Sequence, residues 1–262
     1  MEDDRPESFQ EIVGESVGLK RMLQLAMKVA RSDVPVLILG EAGSGKESVA
    51  RAVHRISARR NESFVKVNCA ATAEEMLERE LFGHERGSEG KSRKVGHIER
   101  ANNGMLFLDE IAQIPLDVQA TLLRLLEHRE FERLGGAYAI PVNVRLIATT
   151  SYDLGERVAE QTFLGELYEQ LNVFPIRVPP LRERRDDVPL LARYFMQQFA
   201  RRMGKHIESI PDETMNFLMN SDWPGNVRQL ENLIERSVTL TQGPALRVPL
   251  AELQPESEAG TG

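Results

Sequence analysis

The residues Gly40-Glu41-Ala42-Gly43-Ser44-Gly45-Lys46-Glu47 bring together what phosphate binding needs. Glycines let the backbone turn its N–H groups inward around the β- and γ-phosphates, and Lys46 adds a point charge. The loop follows the apolar run Val34-Pro35-Val36-Leu37-Ile38-Leu39 and opens a helical pattern from Glu47 to about Ile56. A helix N-terminus so placed adds its partial positive charge. A nucleoside triphosphate is the ligand this arrangement implies. The general form of the loop puts Ser or Thr after the lysine, where the hydroxyl ligates Mg²⁺. Glu47 stands there instead.

A second chemical segment, Met105-Leu106-Phe107-Leu108-Asp109-Glu110, is an apolar strand ending in two carboxylates. Beside a phosphate loop, such an Asp holds Mg²⁺ and the following Glu polarises the attacking water. Strands also end in acidic turns for no chemical reason; the loop about sixty residues upstream favours the functional reading. Phe64-Val65-Lys66-Val67-Asn68 is a further strand ending in a polar amide, which alone reads as a turn residue.

The elements that must position these groups are short apolar runs alternating with helical patterns. Strands are expected at Val36–Leu39, Phe64–Asn68, Met105–Asp109, Val144–Thr149 and Phe174–Val178. Helices are expected at 17–31, 47–58, 74–82, 116–128, 163–171, 186–203, 211–220 and 226–240. The early strands are continuously apolar rather than alternating, as in a parallel sheet covered by helices on both faces. After Pro179-Pro180 the strands stop, and Val188, Leu191, Phe195 and Phe199 recur at helical spacing. The expected organisation is a flexible N-terminus (1–10), an α/β nucleotide-binding domain (11–180), a small all-helical domain (181–250) and a flexible tail (251–262).

Composition narrows the classes. The 262 residues are 41% apolar and 28% charged, ordinary for a globular protein, with a net charge of −7 that argues against binding nucleic acid by bulk electrostatics. One cysteine, Cys69, excludes a disulfide framework and a cysteine metal site, and reads as a small buried residue. No apolar run approaches the ~18 residues of a membrane span, and the acidic start Met1-Glu2-Asp3-Asp4 is no signal peptide. A cytoplasmic location is expected.

These residues resemble the AAA+ domain of bacterial sigma-54-dependent transcription activators, the enhancer-binding proteins, over about residues 11–250. The formate hydrogenlyase activator type is the nearest in pattern. The resemblance rests on the loop ending in Lys46-Glu47, on Val67-Asn68-Cys69-Ala70-Ala71 and on Glu80-Leu81-Phe82-Gly83-His84-Glu85. It continues through Leu106–Glu110, Phe131-Glu132-Arg133-Leu134-Gly135-Gly136, Leu171-Asn172-Val173-Phe174-Pro175-Ile176, Pro179-Pro180-Leu181-Arg182-Glu183-Arg184 and Trp223-Pro224-Gly225-Asn226-Val227-Arg228. It implies a P-loop fold followed by a helical lid, with ATP and Mg²⁺ as ligands. Gly40, Glu41, Ala42, Gly43, Ser44, Gly45, Lys46 and Glu47 would cradle the triphosphate. Asp109 would support Mg²⁺ and Glu110 would prepare the water. Asn68 would pair with Glu110 and report the γ-phosphate. Arg228 would reach back to the nucleotide, and Val13, within Ile12-Val13-Gly14, would lie near the adenine. The family assembles as hexameric rings with ATP at subunit boundaries and acts on RNA polymerase carrying sigma-54.

Three departures stand out. The family's Gly-Ala-Phe-Thr-Gly-Ala loop, whose aromatic tip contacts sigma-54, is replaced by Arg86-Gly87-Ser88-Glu89-Gly90-Lys91-Ser92-Arg93-Lys94, about two residues shorter and without an aromatic anchor. The basic residues Arg86, Lys91, Arg93 and Lys94 suit either solvent or an acidic partner. The family's two trans-acting arginines fall on Leu164 and Gln170. Such a finger is worth about 10³–10⁵ in rate, or roughly 4–7 kcal/mol, so hydrolysis is expected to be weak while ATP binding persists. Ser151 stands where the family carries Asn, either as a weakened contact to the γ-phosphate or water, or as a neutral polar exchange.

The expectation drawn here is a nucleotide-binding domain of this family, degenerate in hydrolysis and in sigma-54 contact. One alternative is an active ATPase that remodels the sigma-54 holoenzyme using a divergent loop and a substitute cation such as Arg157. Another is a nucleotide-gated interaction module outside transcription. No DNA-binding domain is expected in the chain, no membrane partner, and self-association weakened by the loss of charge at 164 and 170.

Overall fold

A computed structural model describes residues 12–85 and 93–249. The expected flexible ends, 1–10 and 251–262, lie outside the described residues, as does most of the altered loop, Arg86 and Lys91 included. The chain divides into two compact units. The first holds Met22–Glu41 and Lys46–Val178; the second holds Ile12–Arg21, Ala42–Gly45 and the chain from Pro179.

The first unit is built on five parallel strands: β1 (Val36–Leu39), β2 (Phe64–Asn68), β5 (Met105–Asp109), β8 (Arg145–Thr150) and β9 (Pro175–Arg177). Their order is β2-β5-β8-β1-β9. The chain leaves β1 for the far edge, works back through β5 and β8, and finally adds β9 on the other side of β1. Strand order therefore reverses at β1, and in open parallel sheets ligands bind beyond the carboxyl ends of the strands at that point.

Register explains the unbroken apolar runs. Val36 pairs with Ile147 and Leu37 with Ala148, while Leu106 pairs with Leu146 and Phe107 with Ile147. Leu37, Leu106, Leu108, Leu146 and Ala148 share one face and join a buried cluster with Leu77 and Leu81 of α3 (Glu74–Phe82), Leu122 of α5 (Leu116–His128) and Leu167 of α7 (Gly165–Leu171). Val36, Ile38, Met105, Phe107 and Ile147 have the opposite parity and are equally buried. Helix α2 (Lys46–Ile56) packs against β1, β5 and β8. Helices α1 (Val17–Ala30), α4 (His97–Arg100) and α6 (Leu154–Ala159) complete the helices of this stretch.

Two small hairpins lie apart from the main sheet: β3 (Gly83–His84) with β4 (Lys94–Val95), and β6 (Glu130–Glu132) with β7 (Ala139–Pro141). They are joined through Glu85 N–H donating to the Leu134 carbonyl and Leu134 N–H to that of Gly83, both 3.1 Å. The buried Arg133 guanidinium fixes the junction. It donates to Glu99 at 2.9 and 2.6 Å and pairs with Glu85. These two carboxylates flank the altered loop in sequence, so the described base of the loop is held although its aromatic tip has been lost from the sequence.

The opposite end of the sheet is fastened by Arg59. Its guanidinium donates to the Gly104 and Asn143 carbonyls, to Asn143 Oδ1, and in a fork to both Asp33 oxygens at 3.0 and 2.7 Å. The hydrogen bonds from Arg59 hold the Asp33 carboxyl below its ordinary value. A folded pKa below the unfolded one means the stabilisation is complete above the unfolded value and is lost as pH falls through the folded one. Asp33→Asn is accordingly expected to lower stability at pH 7, with the difference from the parent shrinking towards zero as both are acidified below about pH 3. Urea midpoints at a series of pH values read this out; a constant difference would refute it.

The second unit is helical, with α8 (Val188–Arg202), α9 (Asp212–Asn220) and α10 (Asn226–Leu240). Leu191, Phe195 and Phe199 of α8 meet Leu218 of α9 and Leu230, Leu233, Ile234 and Val238 of α10 around Trp223. Among the described residues no helix is long and apolar enough to cross a membrane.

Candidate functional site

The carboxyl ends of β1, β5 and β8 lie side by side, and each delivers a polar group. Lys46 opens α2 directly after the glycine loop and is only 6% exposed. Its ammonium donates to the carbonyls of Gly40 at 2.6 Å and Glu41 at 3.3 Å and pairs with Glu110 Oε1 at 2.9 Å. Three donors meet three acceptors, so the lysine is fully used and held in place.

Asp109 and Glu110 leave β5 in two directions. Glu110 has φ 58 and ψ 56, the left-handed region, which costs a non-glycine residue energy and persists where surroundings impose it. What imposes it is Thr149, fully buried on β8. Its hydroxyl donates to Asp109 Oδ1 at 2.7 Å and accepts from Glu110 N–H at 3.1 Å. Ser151 then takes Glu110 Oε2 with both its N–H, at 2.9 Å, and its hydroxyl, at 2.8 Å. Burial works to raise the Glu110 pKa, but the Lys46 ammonium and the two Ser151 donors outweigh it and keep the group below the usual glutamate value. A carboxylate acting on water needs that ionised form.

One expectation is corrected here. The Asn68–Glu110 pair is not formed. Asn68 sits level with Asp109 across the strand pair, but its Oδ1 accepts from the N–H groups of Ala70 at 3.1 Å and Ala71 at 3.2 Å in a local turn. Both Glu110 oxygens are taken by Lys46 and Ser151. The Glu47 side chain is also turned elsewhere. Its carboxylate receives Arg51 at 3.0 and 2.7 Å and Lys66 at 2.6 Å, because Lys66 on β2 and Arg51 one turn along α2 surround it with positive charge. Only the backbone N–H of Glu47 remains suited to a phosphate. Cys69 is buried as expected, and burial pushes its thiol up to about 12.

In the second unit the loop residues Ala42–Gly45 are held by the helical segments. Asn226 Nδ2 donates to the Ala42 carbonyl at 3.1 Å, Arg228 N–H to that of Gly43 at 3.2 Å, and Arg184 to that of Ser44 at 2.8 Å. Gly43 has φ +75, and a Cβ there would collide with the Gly225 carbonyl, so glycine is required. The Arg228 side chain is exposed, while the Ser44 hydroxyl is buried without a hydrogen-bond partner. Val13 packs on the helical cluster. Beside it Asp187 accepts from Glu15 N–H at 2.6 Å, Ser16 N–H at 2.8 Å and Ser16 Oγ at 2.7 Å. The sequence reading missed Thr149, Arg184 and Asp187, whose roles depend on partners 40, 140 and 171 residues away.

A five-stranded parallel sheet in this order, a glycine loop closing on a buried lysine after β1, and an Asp-Glu pair at the end of β5, with β8 between the two strands, define a P-loop NTPase of the AAA+ class, followed in the chain by a helical lid domain. Comparison places the chain further. The Sigma-54 interaction domain matches residues 12–177 and the AAA+ ATPase lid domain residues 182–261, and the chain belongs to the sigma-54 interaction domain family. It is 51% identical over 253 residues to the formate hydrogenlyase transcriptional activator FhlA of Escherichia coli K12, covering 95% of this chain and 37% of that protein. It is 50% identical over 242 residues to the transcriptional activator HyfR of the same organism, covering 92% and 36%. The chain thus spans little more than a third of these relatives. The crystal structure of NtrX from Brucella abortus in complex with ATP superposes with a TM-score of 0.87 at 39% identity, covering 94% of this chain and 57% of that one.

Proposed function

We propose that this chain is the ATP-binding AAA+ module of a sigma-54-activator-type transcription regulator, in which nucleotide serves chiefly as a conformational and assembly ligand and hydrolysis is slow. The observation that carries it is the convergence of Lys46, Asp109 and Glu110 at the carboxyl ends of β1 and β5, on either side of β8. The ATP bound to the similarly folded NtrX supports the choice of nucleotide. The unpartnered buried Ser44 hydroxyl is a polar atom suited to a ligand.

Mg²⁺ fits as an ion that arrives with the phosphates. Among the described residues no group of three or more His, Cys, Asp or Glu side chains is arranged to hold a metal, and Mg²⁺ in such sites keeps its waters and takes one or two carboxylates plus phosphate oxygens. Asp109 would hold it, with one oxygen steadied by Thr149; Glu47, engaged by Arg51 and Lys66, would not. The ion neutralises charge developing on the transferred phosphoryl group.

Slow hydrolysis follows from helix α7. Leu164 caps its start and packs against the core, and Gln170 is exposed. Neither supplies a cation to a neighbouring subunit. Arg157 on α6 is spoken for within its own subunit: its guanidinium lies 4.6 Å from the Tyr152 ring centroid and 3.7 Å from Glu160. A ring of subunits, a cytoplasmic setting and an encounter with sigma-54 polymerase belong to the same reading, with the altered loop weakening the last.

Steady-state ATP turnover across a protein concentration series with Mg²⁺, beside ATP affinity on the same sample, tests it. Binding with turnover that stays low at every concentration is expected. Turnover that climbs with concentration to ordinary AAA+ rates would overturn the reading in favour of an active remodelling ATPase.

A further inference from the structure

We propose that Arg184 is a positioning residue for the phosphates of the nucleotide, acting through the Ser44–Gly45 peptide. The proposal rests on the nucleotide-binding reading above and adds to it the group that aims and polarises an N–H of the glycine loop.

Three successive carbonyls of the loop are each taken by a donor of the second unit. Asn226 Nδ2 holds that of Ala42, the Arg228 N–H that of Gly43, and Arg184 Nη2 that of Ser44. All the peptide bonds are trans. In a trans peptide the C=O and the N–H of the next residue point to opposite sides. Holding these three carbonyls therefore turns the N–H groups of Gly43, Ser44 and Gly45 away from their captors. Positive φ at alternate residues, 75 at Gly43 and 104 at Gly45, gives the backbone of a concave anion nest. Asn226 and the Arg228 N–H supply direction only. Arg184 supplies direction and charge.

Arg184 is 4% exposed, yet the bond to Ser44 is the one hydrogen bond its guanidinium makes among the described residues, and its Nε is buried without a partner. Asp187, the carboxylate whose charge acts on it, gives its oxygens to Glu15 and Ser16 instead. A buried cation so sparsely compensated is costly unless an anion shares its field. The Ser44 hydroxyl, on a residue 2% exposed, is the second buried group here without a partner. Both groups can donate, both adjoin the Ser44–Gly45 peptide, and what they lack is an acceptor. A cation on a carbonyl draws electron density through the peptide and makes its N–H a stronger donor, because hydrogen bonds in a chain polarise one another. A phosphate oxygen on the Gly45 N–H completes the series guanidinium, carbonyl, N–H, phosphate. Arg184 thus lends its charge to the phosphate site without touching the nucleotide.

Affinities for ATP, ADP and AMP with Mg²⁺, measured by displacement of a fluorescent ADP analogue, test this without any need for turnover. Arg184→Met should weaken ATP and ADP by about tenfold or more and AMP by less than about twofold, because AMP lacks the β- and γ-phosphates that the loop encloses. Arg184→Lys, which keeps a cation able to donate, should recover most of the loss; Arg184→Gln, which keeps only a donor, should not. With ADP bound and the glycines isotopically labelled, the Gly45 amide proton should move upfield in Arg184→Gln, while that of Gly43, whose preceding carbonyl is held by Asn226, stays in place. A folded Arg184→Met that binds ADP as the parent does, or equal losses for ADP and AMP, would overturn the proposal and leave nucleotide binding intact. So would an unmoved Gly45 signal, which is read in Arg184→Gln whether or not Arg184→Met folds. Failure of the parent protein to bind ATP or ADP would remove both readings.

Discussion

ATP turnover is expected to rise by about 10³-fold when Leu164→Arg and Gln170→Arg are combined, the low end of what a trans arginine supplies. On the reading proposed above, the change supplies the one element held to limit hydrolysis, because Lys46, Asp109, Glu110 and Ser151 are already assembled. Helix α7 tolerates it. Phe163, Leu167 and Leu171 carry its core face, and Gln170 points away from them. Leu164 is half-buried at the edge of the cluster, where an arginine stem can cover the same apolar surface and leave its guanidinium outside. The Leu164 N–H bond to Gln119 at 2.7 Å is a backbone contact and survives. The gain should depend on protein concentration, since the new cations serve a neighbouring subunit, and adding Glu110→Gln should abolish it. A folded, ATP-binding double variant with unchanged turnover would show that something other than the missing arginines limits hydrolysis.

The sequence made the chemistry legible where the chemistry is local. The glycine loop, the strand ending in Asp109-Glu110 and all five strands of the sheet could be read because glycines, a lysine and β-branched runs act over a few residues. The hairpins β3–β4 and β6–β7 could not be read, since their two- and three-residue strands lie in mostly polar or exposed stretches and are stabilised by Arg133 reaching Glu85 and Glu99. Buried arginines were equally silent. Arg145, 2% exposed, spends its guanidinium on the carbonyls of Val29, Ala30 and Val34, yet in sequence it is one more surface-type charge. Glu47 and Asn68 make one point: position in a motif says where the backbone is, and the side chain then follows its strongest neighbours. Lys66 and Arg51 claim Glu47, and the turn N–H groups claim Asn68. Ser151 is the converse. Its exchange could not be judged from sequence because its partner is 41 positions away.

Trp223→Ala is expected to destabilise the second unit by about 3–5 kcal/mol, a large part of the margin such a unit can hold. Trp223 is 1% exposed, sits at the centre of the helical cluster, and donates through Nε1 to the Leu218 carbonyl at 2.8 Å. Truncation opens a large cavity and strips that buried carbonyl of its partner. The residue also holds φ 51, as Asn226 holds φ 53, so the turn entering α10 depends on packing to stay in a costly conformation. That turn carries Asn226 and Arg228, whose donors fix the Ala42 and Gly43 carbonyls. Loosening it should release the loop from one side, so ATP affinity should fall although no residue that would touch nucleotide has changed. Calorimetry of the parent, Trp223→Phe and Trp223→Ala separates the causes: Trp223→Phe keeps most of the volume and loses the N–H bond, for a cost nearer 1–2 kcal/mol. Equal losses from the two variants would assign the effect to the hydrogen bond. A loss of stability with ATP affinity unchanged would mean that the loop holds its shape without the turn that grips it.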